Sequence, residues 1–436
     1  MPLLASPVVT EAAEASPETE AAPAQRARRR LLADLRPLRE SPHYRRLWIG
    51  QSLSGIGSQI TAVAVPVQVY SLTHSSLAVG MIGLALAVPL LVLGLVGGAL
   101  ADAVDRRRLV LVTSVLLGAV SVGFAVQALL DLRQLWLLYA LTAVQSSLVA
   151  INAPARQTFM PRLLRPELFP AASALGQLSF QISTIVGPLL AGVLIAAWGL
   201  EAAYTVDAAT FVFAIYGVLR LPPMRAEGGG AKPGLRSIGE GLRFLRHQPV
   251  LAAILLVDIN ATVLAMPHAL FPALAETQFG GGSQTVGLLY AAPAIGGVLA
   301  ALFSGPLSHI RRQGAAVLLA VAVWGATIAG VGLTHTLWLA VALLAVAGAA
   351  DMVSVVFRMT MMQLSTPDAL LGRINGVNFV VGAGVPHLGN VRAGVVAAGI
   401  GPALSAVTGG LACVAGVVLL AFLVPRFARY DAHPRR

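Results

Sequence analysis

The sequence predicts an all-α integral membrane protein: twelve transmembrane helices in two six-helix bundles. Three observations carry that expectation. Of 436 residues, 57% are hydrophobic and only 11% charged, with a mean hydropathy of +0.79, whereas soluble domains carry roughly a quarter charged residues. Apolar runs recur along the chain at the length, about 20 residues, that crosses a bilayer core. The net charge of +11 falls almost entirely in the short gaps between those runs, which argues against the nucleic-acid partner that a basic chain otherwise suggests.

Hydropathy places the spans at about 46–70, 78–101, 109–130, 134–153, 171–197, 202–221, 250–274, 285–307, 314–333, 336–357, 374–398 and 402–424. Residues 1–43 read as a disordered basic cytoplasmic tail. It has Arg26 and Arg28 to Arg30 but no apolar stretch of the kind a signal peptide needs, and its bases suit anionic headgroups. The first bundle is expected over 44–221 and the second over 249–425. Between them runs a cytoplasmic linker, 222–248, with Gly228 to Gly230; a short tail, 426–436, ends the chain. With the N-terminus assigned to the cytoplasm, 28 of the 30 Lys and Arg fall on that side, leaving Arg133 and Arg392. Both termini are therefore expected to be cytoplasmic.

The halves echo each other. Arg156, Thr158 and Met160 after span 4 recur as Arg358, Thr360 and Met362 after span 10, all at an offset of 202. Each set precedes a turn signal, Pro166-Glu167 and Pro367-Asp368. Parallel repeats about a central cavity account for such an echo.

Polar groups inside spans are costly and are functional candidates by default. Span 1 carries Gln51, Ser54, Ser58, Thr61 and Gln68 on one face. Span 4 carries Gln145, Asn152 and Arg156, and span 5 carries Gln177, Gln181 and Thr184. Such stripes line a cavity or glue helices together, and cavity lining is the expectation here. Three acids lie within spans. Asp207, near the outer end of span 6, reads as interfacial. Asp258 sits deep in span 7, with Asn260 close by on another face, and Asp351 shares a face of span 10 with Ser354 and Arg358. Asp258 and Asp351 are candidates for proton coupling or, equally, for a static clamp, with a bridging partner expected between Asp351 and Arg358. Arg392, in the outer half of span 11 near His387 and Asn390, either snorkels to the interface or binds an anion in the cavity.

Chemistry of other kinds finds little support. The one cysteine, Cys413, precludes a disulfide framework, and the one lysine, Lys232, stands outside any phosphate-binding loop. No metal-ligand cluster or nucleophile motif stands out, so neither a cofactor nor an enzymatic activity is expected.

Between spans 2 and 3 the chain reads Gly98-Ala-Leu100-Ala-Asp102-Ala-Val-Asp105-Arg106-Arg107-Arg108. This resembles the helix 2–3 loop of the major facilitator superfamily, with Ala103 where a base is usual and Asp105 where a second Gly is usual. Gly187-Pro188 with Ala191-Gly192 resembles the helix 5 signature of its exporters. Further stretches are similar to its drug- and siderophore-exporting branch: Ala153 to Gln157, Glu240 to Arg246, Thr366 to Asp368, Leu371 to Arg373 and Asn375-Gly376. The resemblance implies the major facilitator fold, alternating access and export of small amphipathic molecules, with protons and a small-molecule substrate as partners and a monomer in the bilayer of the bacterial cytoplasmic membrane. A siderophore is the favoured substrate. Multidrug efflux, solute import and a transport-dead sensor or scaffold are the alternatives. Carried over, Gly98, Asp102, Arg106, Arg107, Arg156, Arg358, Gly187 and Pro188 are gate residues, and Asp102 would cap the start of span 11 near Asn375 and contact Arg106 or Arg156.

Overall fold

The computed structural model describes residues 34–224 and 248–431. The N-terminal tail, most of the linker, the last five residues and the side-chain surroundings of several further residues, Gly98, Asp102 and Asn375 among them, lie outside the described set. The apolar runs become helices: α1 Pro42–Thr73, α2 Ser76–Ala103, α3 Arg106–Leu129, α4 Leu135–Gln157, α5 and α6 as two arms of one segment, Phe169–Leu219, α7 Pro249–Leu264, α8 Ser283–Leu302, α9 Gln313–Leu333, α10 Leu337–Ser365, α11 Asp368–Ile400 and α12 Pro402–Leu423. Nine segments among the described residues are long and apolar enough to cross a membrane, the α5–α6 segment among them. With its two arms counted separately and the long polar-striped helices α1 and α11 added, the path is consistent with twelve traversals.

Local chemistry sets the ends. The Ser41 side chain accepts from the Tyr44 N–H at 3.2 Å, and Pro42 occupies the first turn of α1, both favourable where backbone donors lack partners. α5 and α6 meet at Gly199, whose φ of 82° lies in the left-handed region that favours glycine. Span 7 does not run unbroken to 274 as expected. Its helix stops at Leu264 and resumes as a short helix, Phe271–Thr277, because Pro267 has no N–H to donate and disfavours helical geometry at Met266.

Within the first half, α1 packs on α6 through glycines: Gly50 faces the Phe213 carbonyl and Gly217 the Arg46 carbonyl, with no room for a Cβ. Between halves, α2 meets α11 and α5 meets α8. These seams close only at the end remote from the basic loops, the far end. There Gly80 abuts the Asn390 carbonyl, Gly83 that of His387, Gly394 that of Ser76 and Gly287 that of Pro188. Toward the basic end, by contrast, Gly94 of α2, Gly176 of α5 and Gly376 and Gly382 of α11 face open space. Trp136, Trp198 and Trp338 stand exposed at the far end, where amphipathic rings favour the headgroup level.

The seal predicts a direct test. Gly83→Val drives a branched side chain into the His387 carbonyl, so spin labels at Ser75 and Ala398 should move apart relative to the unsubstituted protein. An unchanged distance would mean that this contact does not hold the far end shut.

Candidate functional site

The divergence of the halves leaves a cavity of about 800 Å³. α1 supplies Trp48, Gln51, Ser54, Ser58, Gln59 and Thr61; α4 supplies Thr142, Gln145, Ser146, Asn152 and Arg156; α5 supplies Ser179, Phe180, Thr184 and Pro188. The closed end is floored by Met266 and His268 after α7, Tyr290 of α8, and Pro386, His387 and Asn390 of α11. His268 stacks on Tyr290 with centroids 5.0 Å apart and planes 15° apart, and the Tyr290 hydroxyl donates to the His268 carbonyl at 3.1 Å.

The stripe on α1 divides between the two roles that polar residues in spans can take. Gln51 and Ser58 line the cavity and leave their side chains to it. Thr61 also borders it, but its hydroxyl donates to Asp207 Oδ2 at 2.7 Å. Gln68 turns away and exchanges amide hydrogen bonds with Gln127, at 3.0 and 2.9 Å, while accepting from the Tyr204 hydroxyl at 2.8 Å. That second group is interhelical glue. Asn152 likewise both borders the cavity and donates to Thr113 at 2.7 Å, tying α4 to α3.

Four residues assigned to the cavity from sequence do not border it. Gln177 is exposed and Gln181 half-buried beside it on α5, because periodicity fixes a shared face but not which neighbour that face meets. Asn260 donates to the Cys413 carbonyl at 2.9 Å, tying α7 to α12. Arg392 neither snorkels nor faces the cavity: it donates to the Leu264 carbonyl at 2.8 Å, the end of broken α7. Asn390 completes the repair by accepting from the Ala269 N–H at 3.2 Å. A broken helix in a membrane needs such partners for its freed backbone groups.

The acids also separate. Asp258 forms an ion pair with Arg358, whose side chain is 11% exposed against 12% for the carboxylate. Among the described residues Arg358 thus pairs with Asp258 of α7 rather than through a group bridging it to Asp351. Asp351 lies on the same wall within electrostatic reach of both, yet open to solvent. Asp207 is not interfacial: it is 0% exposed. Its Oδ2 accepts from Thr61 and, at 2.8 Å, from Ser121, and its Oδ1 has no partner.

The charged loop grips its own half. Asp105, which sequence reasoning noted only as a departure from the motif, accepts from the Arg108 N–H at 2.9 Å and from the Met224 N–H at 3.0 Å. It thus caps α3 and fixes the chain leaving α6. Arg107, expected at a gate, instead donates to the Leu219 carbonyl at 2.8 Å at the end of α6, and the Arg106 N–H donates to the Met224 carbonyl at 3.1 Å. Gly187 packs on Gln59 of α1, while Pro188 offers its carbonyl side to Gly287 of α8. Arg156 makes no ion pair with the described residues of the loop; it borders the cavity and is exposed there. The placements of Gly98 and Asp102 in any gate fall outside the described side chains.

Comparison with known proteins agrees with this architecture. Residues 32–436 match the family described as transmembrane secretion effector. The chain is 31% identical over 395 residues to the enterobactin exporter EntS of Escherichia coli O139:H28, covering 90% of this chain and 94% of that protein. The same figures hold for the enterobactin exporter EntS of Escherichia fergusonii. Among solved structures, a bacterial homologue of the human lysosomal transporter Spinster, inward-facing and unoccupied, is 16% identical with a TM-score of 0.68, covering 91% of this chain and 99% of that one. The nucleoside transporter NupG is 14% identical with a TM-score of 0.67, covering 89% and 100%. The chain belongs to the transmembrane secretion effector family and has the major facilitator fold; it is a multi-pass membrane transporter, not an enzyme.

Two stability outcomes follow. Removing the cap with Asp105→Ala should cost about 1 kcal/mol, read as a lower thermal midpoint in detergent, with Asp105→Asn retaining part of it. Asp258→Asn should cost more, about 3–5 kcal/mol, because it leaves a buried guanidinium unpaired. The double variant Asp258→Asn, Arg358→Gln should be less destabilised than the sum of the singles; strict additivity would show that the pair is not coupled.

Proposed function

We propose that this chain is an exporter of the bacterial cytoplasmic membrane that moves small amphipathic molecules by alternating access. A siderophore is its favoured substrate and proton antiport its energy source. The observation that carries the reading is the cavity between the halves, shut at the far end and reached from the end that bears the basic loops. By the positive-inside rule that end is cytoplasmic. Both termini then lie in the cytoplasm, and the described state is one that loads from within. The 31% identity to an enterobactin exporter over 90% of the chain supports both the direction and the substrate class. The bundles at 44–221 and 249–425 are the bodies that would rock about the cavity, with 222–248 joining them.

For coupling, Arg358 has two carboxylates in reach, Asp258 in contact and Asp351 open to solvent. Protonation of Asp258 would free Arg358 to pair with Asp351, moving one proton per exchange of partners. The rival reading, a static clamp, fits the same geometry and differs in how it fails.

Three measurements test this reading. Reporters fused at residues 1 and 436 should both give a cytoplasmic signal; a periplasmic signal at either end would break the topology. In proteoliposomes with an imposed pH gradient, catecholate and hydroxamate siderophores should leave the cytoplasmic face only while the gradient lasts. Asp351→Asn should lose this gradient-driven transport and keep counterflow, which needs no net proton movement. If well-folded Asp258→Asn and Asp351→Asn proteins both pump normally against a gradient, neither acid carries the proton, and Asp207 becomes the group to test.

A further inference from the structure

We propose that the cavity is built for anions, with Arg156 as the group that reads substrate charge. The substrate class this selects is an amphiphile that carries an acidic head and a planar ring. The inference rests on the transport reading above for the word substrate alone; the charge preference follows from the lining.

Among the described residues that border the cavity there is no Asp, Glu or Lys, and the one guanidinium is that of Arg156. Among the described residues no ion pair or hydrogen bond engages its side chain. The contrast with its repeat-related counterpart is direct, since Arg358 in the second half is neutralised by Asp258. Asp258 lies on α7, the first helix of the second half, whereas α1, the first helix of the first half, contains no carboxylate at all. Among the described residues the same arginine thus has an internal counterion in one half and none in the other. An exposed guanidinium facing the cavity is open to an anion from solution, and its planar fork suits two oxygens of one acidic group. A cation entering the same space would meet Arg156 with no carboxylate in the described lining to offset the repulsion.

The rest of the cavity separates the head from the ring. Arg156 stands near the open basic end. Thr142, on the same helix and also in the lining, lies 14 residues away, roughly 21 Å at helical rise. The closed end presents the His268–Tyr290 stack, a flat surface that accepts another ring face to face or edge on. Between the two, Gln51 and Gln145 offer both donors and acceptors. An acidic head at Arg156 and a ring at the floor satisfy both ends at once.

The test is binding by isothermal titration to the full chain in detergent, which requires neither a gradient nor a direction of transport. The probes are 2,3-dihydroxybenzoate, 2-naphthoate and naphthalene-2-sulfonate, with (2-naphthylmethyl)trimethylammonium as the ring-matched cation. The expected result is that anions bind and the cation does not, and that Arg156→Gln weakens the anions about ten- to hundred-fold, the range for losing a charge-assisted hydrogen bond. Arg156→Lys should fall between, since it keeps the charge but loses the fork. Ala153→Glu, which places a carboxylate three residues from Arg156 on the lining, should weaken anions without removing the arginine, and so serves if Arg156→Gln fails to fold. Arg133→Gln, at an exposed pair with Asp131 on the far surface, should bind as the unsubstituted protein does. The proposal is overturned if the cation binds as tightly as its anionic partners, if no anion binds, or if both Arg156→Gln and Ala153→Glu bind anions normally. Anion binding through Arg156 combined with inward flux would leave this proposal standing and overturn export. Efflux restricted to cations would do the reverse.

Discussion

Hydrocarbon offers no hydrogen bond, and the rest of this structure depends on that. A polar group placed in a span must find a partner inside the protein or stand in a watered space. The helices meet that demand in pairs: Gln68 with Gln127 and Tyr204, Asn260 with the Cys413 carbonyl, Arg392 and Asn390 with the two ends of the break after α7. Once those are set aside, the unengaged polar side chains of the lining, Gln51, Ser58, Gln145 and Arg156, gather around one space. The cavity is where the demand for partners was left unmet by the protein itself. Asp207, fully buried with one oxygen unserved, is one of several exceptions, with the Ser354 hydroxyl and the Trp324 N–H among the others.

The same constraint explains what could be read from the sequence. Span positions were legible to within a few residues because bilayer thickness imposes a length that composition records directly. The break in α7 was written in Pro267, yet a hydropathy window averages across a proline. Faces were legible too, but a face does not name its neighbour. On α1 the cavity reading and the glue reading were posed as alternatives, and they apply to different residues of one stripe, Gln51 and Ser58 against Gln68. Asp258 and Arg358 were each singled out, but 100 positions separate them and no spacing rule joins α7 to α10. Arg392 drew attention as a base on the wrong side, and its true partner, a backbone carbonyl, leaves no mark in composition.

Departure from a motif proved as telling as agreement with it. Asp105 stands where the helix 2–3 loop of the superfamily usually has a glycine, and the structure gives the carboxylate two backbone donors to hold, one on α3 and one at Met224. A glycine could do neither. The duplicated halves diverge in the same instructive way. Arg156 and Arg358 occupy equivalent places in the echo, but among the described residues only the second half supplies a carboxylate to meet its arginine, so equivalence of position has not preserved equivalence of partners.

The far-end seal has a thermal signature. Gly80, Gly83, Gly394 and Gly287 meet carbonyls of the opposing helices, so closing the seam freezes few rotamers, and long side chains would each surrender up to about 2 kcal/mol of conformational entropy on ordering. Contact between such bare surfaces relies on short-range dispersion, which fades within an ångström of separation. The equilibrium between sealed and parted ends should therefore respond weakly to temperature and switch abruptly rather than by graded loosening. A latch of interlocked arginines and glutamates would have neither property.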